Sequence, residues 1–195
     1  MRILVLSWLL VLLCRPAAAQ VDTDPDGIGL YFDEAATVNA VEAAPYATVH
    51  AYLIATHPSR EGDIAYWEAA LRGGPADNMI HGTARGGGYN SWVDMPVADG
   101  CTFAVHYIAE PLPRRDIVIL ADIDIVLHDE VGAYPLRICG LATAEPRYRT
   151  VAVDDPLHDL HPSSGSAASP VAVINGAAPV AASRVTWSGV KVLFR

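Results

Sequence analysis

The chain has 195 residues, and its 22 acidic residues outnumber its 13 arginines and lysines, so the formal net charge is −9. Hydrophobic residues make up 52% of it, which is enough for one domain with a real core. The basic residues are scattered along the sequence. An acidic chain without a basic cluster is a poor ligand for nucleic acid or for an anionic membrane, so both partners are excluded.

The N-terminal residues have the pattern of a cleavable secretory signal. Arg2 carries a positive charge, the apolar segment 3–13 follows, and Ala17–Ala19 offers a small-residue cleavage site. A membrane-spanning helix needs roughly 20 apolar residues, about twice this segment. We therefore expect residues 1–19 to be removed and residues 20–195 to form one domain without a membrane span. That domain would be secreted to the periplasm or the extracellular space.

Acidic residues alternate just after the predicted cleavage site. Asp22, Asp24 and Asp26 precede a glycine, and Asp33 is the twelfth residue counted from Asp22. Ca²⁺ prefers six to eight oxygen ligands, and carboxylates at this spacing before a sharp turn open a calcium loop. Against calcium, no helices are predicted beside the loop, and its twelfth residue is Asp where such loops have Glu. A solvated turn leading into the first strand is the alternative.

The rest of the chain reads as short apolar segments separated by turn residues. Segment 47–56 alternates, with Val49, Ala51, Leu53 and Ala55 on one predicted face, which is typical of a half-buried strand. The predicted strands lie at residues 28–33, 47–56, 64–72, 79–84, 101–109, 116–128, 134–139, 148–153, 171–174, 183–187 and 190–194.

Segment 64–72 fits two structures. Ile64, Trp67 and Leu71 have helical spacing, whereas strand alternation groups Trp67 and Leu71 with Ala69. Periodicity does not decide between them in so short a segment. We favour a strand because the neighbouring segments are strands.

Segment 116–128 is the longest predicted strand. Alternation predicts one wholly apolar face, formed by Ile117, Ile119, Ala121, Ile123, Ile125 and Leu127. It predicts a mixed face formed by Val118, Leu120, Asp122, Asp124, Val126 and His128. A sheet packed on one side gives such a contrast. The acids of the mixed face could hold a metal or form an acid pair, but we favour a half-exposed sheet surface as their explanation.

Two cysteines remain once Cys14 leaves with the signal. Outside the cytoplasm, a lone pair such as Cys101 and Cys139 usually forms a disulfide. The bridge would close a loop of about 38 residues and stabilise the fold by roughly 3–4 kcal/mol. Two buried thiols are the alternative.

Chemistry-bearing motifs are few. The sequence has no nucleophile elbow, and we assign no catalytic residue. Tyr89 and Trp92 lie close together beside a glycine-rich loop. Aromatic side chains stack on sugars or anchor protein partners, so these two are the predicted ligand-binding residues.

Several motifs carry a resemblance to known proteins. They are Gly29-Leu30-Tyr31-Phe32-Asp33, Ala51-Tyr52-Leu53-Ile54-Ala55-Thr56, Trp67-Glu68, Pro162-Ser163-Ser164-Gly165, Val173-Ile174-Asn175-Gly176 and Thr186-Trp187-Ser188-Gly189-Val190-Lys191. This layout resembles a group of short secreted bacterial proteins, a resemblance that implies no activity. The pattern around Tyr52 and Trp67-Glu68 more distantly resembles cohesin-type and carbohydrate-binding sandwiches, which implies a β-sandwich.

Together these patterns predict an all-β protein, an antiparallel β-sandwich of immunoglobulin-like or cohesin-like type with about ten short strands. The predicted function is a secreted, non-enzymatic binding or structural module whose partner is a protein or a glycan. One alternative is a calcium-stabilised surface protein, calcium being the only cofactor considered. The other is a hydrolase with an acidic site at Asp122, Asp124 or Glu68.

We expect the exported protein to begin at Gln20, because Ala17 and Ala19 supply the small side chains that a signal peptidase accepts. Intact-mass measurement of protein recovered after export from an expression host checks this. Retention of residues 1–19, or a lipid on Cys14, would contradict it.

Overall fold

The computed structural model is built almost entirely of β-strands. It describes residues 22–73, 79–87, 89–90, 100–107, 110–128, 132–141, 145–152 and 154–179. Within them are a short 3₁₀ turn at Arg85–Gly87 and thirteen strands. The strands are β1 (Gly27–Tyr31), β2 (Ala40–Val41), β3 (Thr48–Thr56), β4 (Ile64–Gly73), β5 (Met79–Ala84), β6 (Tyr89–Asn90), β7 (Gly100–His106), β8 (Ile117–Val126), β9 (Tyr134–Cys139), β10 (Arg147–Thr150), β11 (His158–Asp159), β12 (His161–Pro162) and β13 (Ala172–Ile174).

Two sheets form the sandwich. The first has the strand order β12-β1-β3-β8-β5, and the second has the order β11-β10-β4-β9-β13-β2, with β7 paired to β4 and β6 to β7. Neighbouring strands are antiparallel except in the pairs β1–β12 and β13–β2. The predicted all-β sandwich is therefore confirmed. The predicted strands 183–187 and 190–194 lie outside the described residues. No helix in the described ranges has the length and apolarity to cross a membrane.

The core lies between the two sheets. Val49, Ala51, Leu53 and Ala55 of β3 all belong to it, as their alternation predicts. Segment 64–72 is a strand, as favoured above, and it forms most of β4.

Trp67 of β4 is fully buried at the centre of this core. Its indole Nε1 donates a hydrogen bond to the Tyr107 hydroxyl at 3.1 Å, and its ring centroid lies 5.1 Å from that of Phe103. The tryptophan thus buries a large apolar surface while its one polar atom keeps a partner.

A glycine on β5 lets the two sheets approach each other here. A Cβ atom on Gly82 would lie 2.1 Å from Cζ of Phe103. Any larger residue would therefore displace the Phe103 ring from the core.

A β-bulge in β8 changes which residues face the core. Leu53 of β3 pairs with Ala121, but the next residue, Ile54, pairs with Ile119, so Leu120 is the extra residue. A bulge inverts the alternation beyond it. Val118 and Leu120 consequently lie in the core, while Ile117 and Ile119 pack on the outer face against Tyr31, Ile54 and Ala36. The predicted faces hold from residue 121 to residue 127 and are wrong before the bulge.

The predicted disulfide between Cys101 and Cys139 is not found in the structure, and the register explains why. Cys101 of β7 pairs with Leu71, and Cys139 of β9 pairs with Ala70 on the opposite edge of β4. Two strand spacings separate the Cα atoms by about 10 Å, whereas a disulfide tolerates at most about 7 Å.

The side chains of Cys101 and Cys139 also face in opposite directions. Residues directly opposite each other share a face of the sheet, so Cys101 points with Leu71 into the core. Cys139 points with Ala70 to the outer face. This geometry corrects the sequence-based prediction.

We expect Cys101 and Cys139 to react as two thiols in unreduced, denatured protein, because β4 keeps them apart in the folded chain. Alkylation with iodoacetamide without reductant, followed by peptide mass mapping, checks this. A peptide pair linked through the two sulfurs would contradict the register. Chain reduced before alkylation is the control.

Candidate functional site

Four side chains form a row across the outer face of the second sheet. Tyr66 of β4 lies directly opposite Arg149 of β10 on one edge and His106 of β7 on the other. His106 in turn lies opposite Tyr89 of β6. Opposed residues share a face and lie within contact distance. We call Arg149, Tyr66, His106 and Tyr89 the aromatic row.

Three members of the aromatic row, Arg149, Tyr66 and His106, lie against one another. The ring centroids of Tyr66 and His106 are 4.5 Å apart with their planes tilted by 51°, and Cζ of Arg149 lies 5.9 Å from the Tyr66 centroid. Arg149 and His106 are exposed, and Tyr89 is 63% exposed, whereas Tyr66 is buried between them. The row therefore exposes the side chains of Arg149, His106 and Tyr89 to solvent, with the buried Tyr66 between them.

Glu68 holds the side chain of Tyr66 in place. It shares the outer face of β4, yet it is only 6% exposed. One carboxylate oxygen accepts a hydrogen bond from the Tyr66 hydroxyl, and the other accepts bonds from Nε and a terminal nitrogen of Arg147 at 2.7 and 2.5 Å. Burial, followed by the bond to Glu68, raises the pKa of Tyr66 well above its usual value, so the phenol stays a donor.

Of the two predicted ligand-binding residues, Tyr89 belongs to the aromatic row and Trp92 lies outside the described residues. Sequence reasoning missed Tyr66 as a site residue, along with His106 and Arg149. The alternation of each strand gives the face on which each residue lies. No local pattern shows that β10 pairs with β4, since Arg149 and Tyr66 are 83 positions apart.

The four predicted calcium ligands do not come together. The carboxylate of Asp26 accepts hydrogen bonds from Ser59 N, Ser59 Oγ and the Tyr148 hydroxyl. Asp33 binds the loop that follows it, through Thr37 and Val38. The five residues of β1 lie between these two acids, an extended distance of about 17 Å.

Asp22 and Asp24 stay on the Asp26 side of β1, where Asp22 Oδ1 accepts a bond from the Asp24 amide. Across the described ranges, no three His, Cys, Asp or Glu side chains are already gathered to hold a metal ion.

A separate polar cluster surrounds His158 and Asp155. His158 contacts Asp155 through Nε2 at 2.8 Å, while its Nδ1 accepts a bond from Arg60 Nε at 3.1 Å. Asp155 also accepts bonds from the Thr150 amide and hydroxyl. The bond with His158, followed by those from Thr150, lowers the pKa of Asp155 to about 2. Both imidazole nitrogens are thus occupied by groups of the protein itself.

Comparison with known proteins gives a fold but no sequence family. No family model and no curated protein match the chain. A chain of the CaDoc0917–CaCohA2 complex matches with a TM-score of 0.51 and 10% identity, covering 76% of this chain and 96% of that one. The fold is a cohesin-like β-sandwich.

Two further solved structures are similar to this chain at lower scores. The type II cohesin domain from the cellulosome of Acetivibrio cellulolyticus has a TM-score of 0.48 and 12% identity, covering 78% of this chain and 96% of its own. The cohesin module of a family 33 glycoside hydrolase from Clostridium perfringens has a TM-score of 0.48 and 10% identity, covering 69% and 90%.

We expect Glu68→Ala to lower the free energy of unfolding by about 3 kcal/mol, because it leaves Arg147 and the Tyr66 hydroxyl without their buried partner. Urea denaturation measures this. The matched control is Glu34→Ala, which removes an exposed carboxylate bound to Arg85 and should cost no more than about 1 kcal/mol. Equal losses in the two variants would show that Glu68 does not organise the face.

Proposed function

We propose that the chain is an exported, non-enzymatic protein-binding module that binds its partner with the aromatic row. The observation that carries the proposal is the row itself: an exposed tyrosine, histidine and arginine held in register across four strands. Export rests on the predicted signal at residues 1–19.

The composition of the row suits a protein interface. Tyrosine and arginine are enriched among the residues that contribute most to protein–protein affinity. Tyr66 is already fixed by Glu68, and Arg149 rests on its ring. Groups held in place before binding lose less conformational entropy on association.

A protein partner explains the row better than a glycan does. Sugars stack on open, flat aromatic faces. Tyr66 is only 9% exposed, and the ring planes of Tyr66 and His106 are tilted by 51°. Tyr89 is thus the one tyrosine of the row with an open ring. The similar chain with a TM-score of 0.51 comes from a complex, which also supports a protein partner.

Two of the three acids considered for hydrolysis, Glu68 and Asp122, are held by other groups. Both oxygens of Glu68 accept internal hydrogen bonds, and Asp122 accepts two bonds from Arg85. A carboxylate whose oxygens are already occupied by an internal ion pair is not open to a substrate as a general acid or base. These contacts favour binding over catalysis.

We expect Tyr89→Ala, His106→Ala and Arg149→Ala each to weaken partner binding at least fivefold, since truncating a central contact commonly costs more than 1 kcal/mol. Immobilised protein would capture binders from the native host's exported fraction, and each captured protein would then be titrated in purified form. Tyr46→Ala is the matched control, because Tyr46 is 73% exposed and outside the row.

Binding that survives all three row variants would overturn this assignment of the binding face. A purified partner that is a glycan without protein would overturn the protein-binding function.

A further inference from the structure

A second row of chemistry-bearing residues crosses the outer face of the first sheet. Asp124 of β8 lies directly opposite His50 of β3 on one edge and His81 of β5 on the other. The sequence gives no sign of this, because the histidines lie 74 and 43 positions from Asp124. We call these three residues the His–Asp–His row.

All three side chains are open to solvent. His50 is 74% exposed and Asp124 is 53% exposed, and His81 is also exposed. Nδ1 of His50 already lies 2.5 Å from Oδ1 of Asp124. Asp122, two residues earlier on the same face, is bound instead by the guanidinium of Arg85. The carboxylate of Asp124 therefore contacts an imidazole, whereas that of Asp122 is paired with the permanently charged guanidinium of Arg85.

We propose that the His–Asp–His row binds a divalent transition-metal ion, Zn²⁺ in the first instance. Two imidazole nitrogens and one carboxylate oxygen are ligands that zinc prefers, and three protein ligands leave the fourth position to water. The acid-rich chain would also attract a cation to this face.

The sheet supplies the spacing that three ligands need. Opposed Cβ atoms on neighbouring strands lie about 4.5–5.5 Å apart. Zinc–ligand distances are roughly 2.0–2.2 Å, so an ion above Asp124 is within reach of a histidine on each side. The three side chains are not gathered around one point in the described structure. Binding accordingly requires rotation of the exposed His81 towards Asp124, together with exchange of the His50–Asp124 hydrogen bond for metal bonds.

The proposal is independent of the partner-binding face. The aromatic row lies on the second sheet, and no residue is shared between the two rows. Loss of one function therefore leaves the other to be tested by itself.

Calorimetric titration of chelator-treated protein with ZnCl₂ tests the proposal. We expect one ion per chain, with affinity lowered at least about tenfold in each of His50→Ala, His81→Ala and Asp124→Asn, since even supporting partners of zinc ligands contribute 10- to 100-fold. The matched control is His57→Asn. His57 also has a carboxylate nearby, with Nδ1 3.9 Å from Oδ1 of Asp116, and asparagine tolerates its positive φ of 47°.

Two calorimetric results would overturn the proposal: no zinc binding to the wild-type protein, or binding that His57→Asn weakens as much as the row variants do. Diethylpyrocarbonate labelling gives a second readout that needs no variant. Zinc should lower the labelling of His50 and His81 in the wild-type protein and leave the labelling of His57 unchanged. If zinc changes the labelling of none of the three histidines, the site is also rejected.

Discussion

The pleat of β4 is the constraint on which the core and the candidate binding face both depend. Successive residues of a strand point to opposite faces, so the adjacent Trp67 and Glu68 enter opposite surroundings. Trp67 enters the core, and Glu68 supports the outer face. Strands pair with both edges of β4, which fixes its position. A shift of one residue would place a carboxylate in the core and an indole under Arg147.

The acidic residues on the outer faces of the two sheets differ in their exposure to solvent. Glu68 is nearly inaccessible, so its ion pair with Arg147 is worth little net stability beyond relieving the desolvation of both groups. Its main effect is on position, because it holds Tyr66 in place within the aromatic row. On the first sheet, Asp122 and Asp124 remain substantially exposed. Charges there are screened by solvent and contribute little to folding.

Sequence reasoning succeeded where the pattern was local. The faces of β3 follow from alternation because nothing interrupts that strand, and β4 follows because its neighbours are strands. The sequence-based prediction of the faces of β8 failed at Leu120. A bulge is defined by the pairing with the partner strand, so no pattern within β8 indicates it. The cysteine pairing and the two rows depend on which strands are neighbours. The expected compartment and the lone pair of cysteines predicted a bridge, but β4 lies between Cys101 and Cys139.

Two aspartates join loops to strands of the sandwich through side-chain hydrogen bonds. Asp26 ties Ser59 to Tyr148, and Asp155 ties Thr150 to His158. The pKa of Asp155 is lowered to about 2, so its bonds stabilise the folded state fully above the ordinary aspartate pKa of about 4. That contribution disappears only as the pH falls from about 4 towards 2. This connection therefore persists in mildly acidic surroundings.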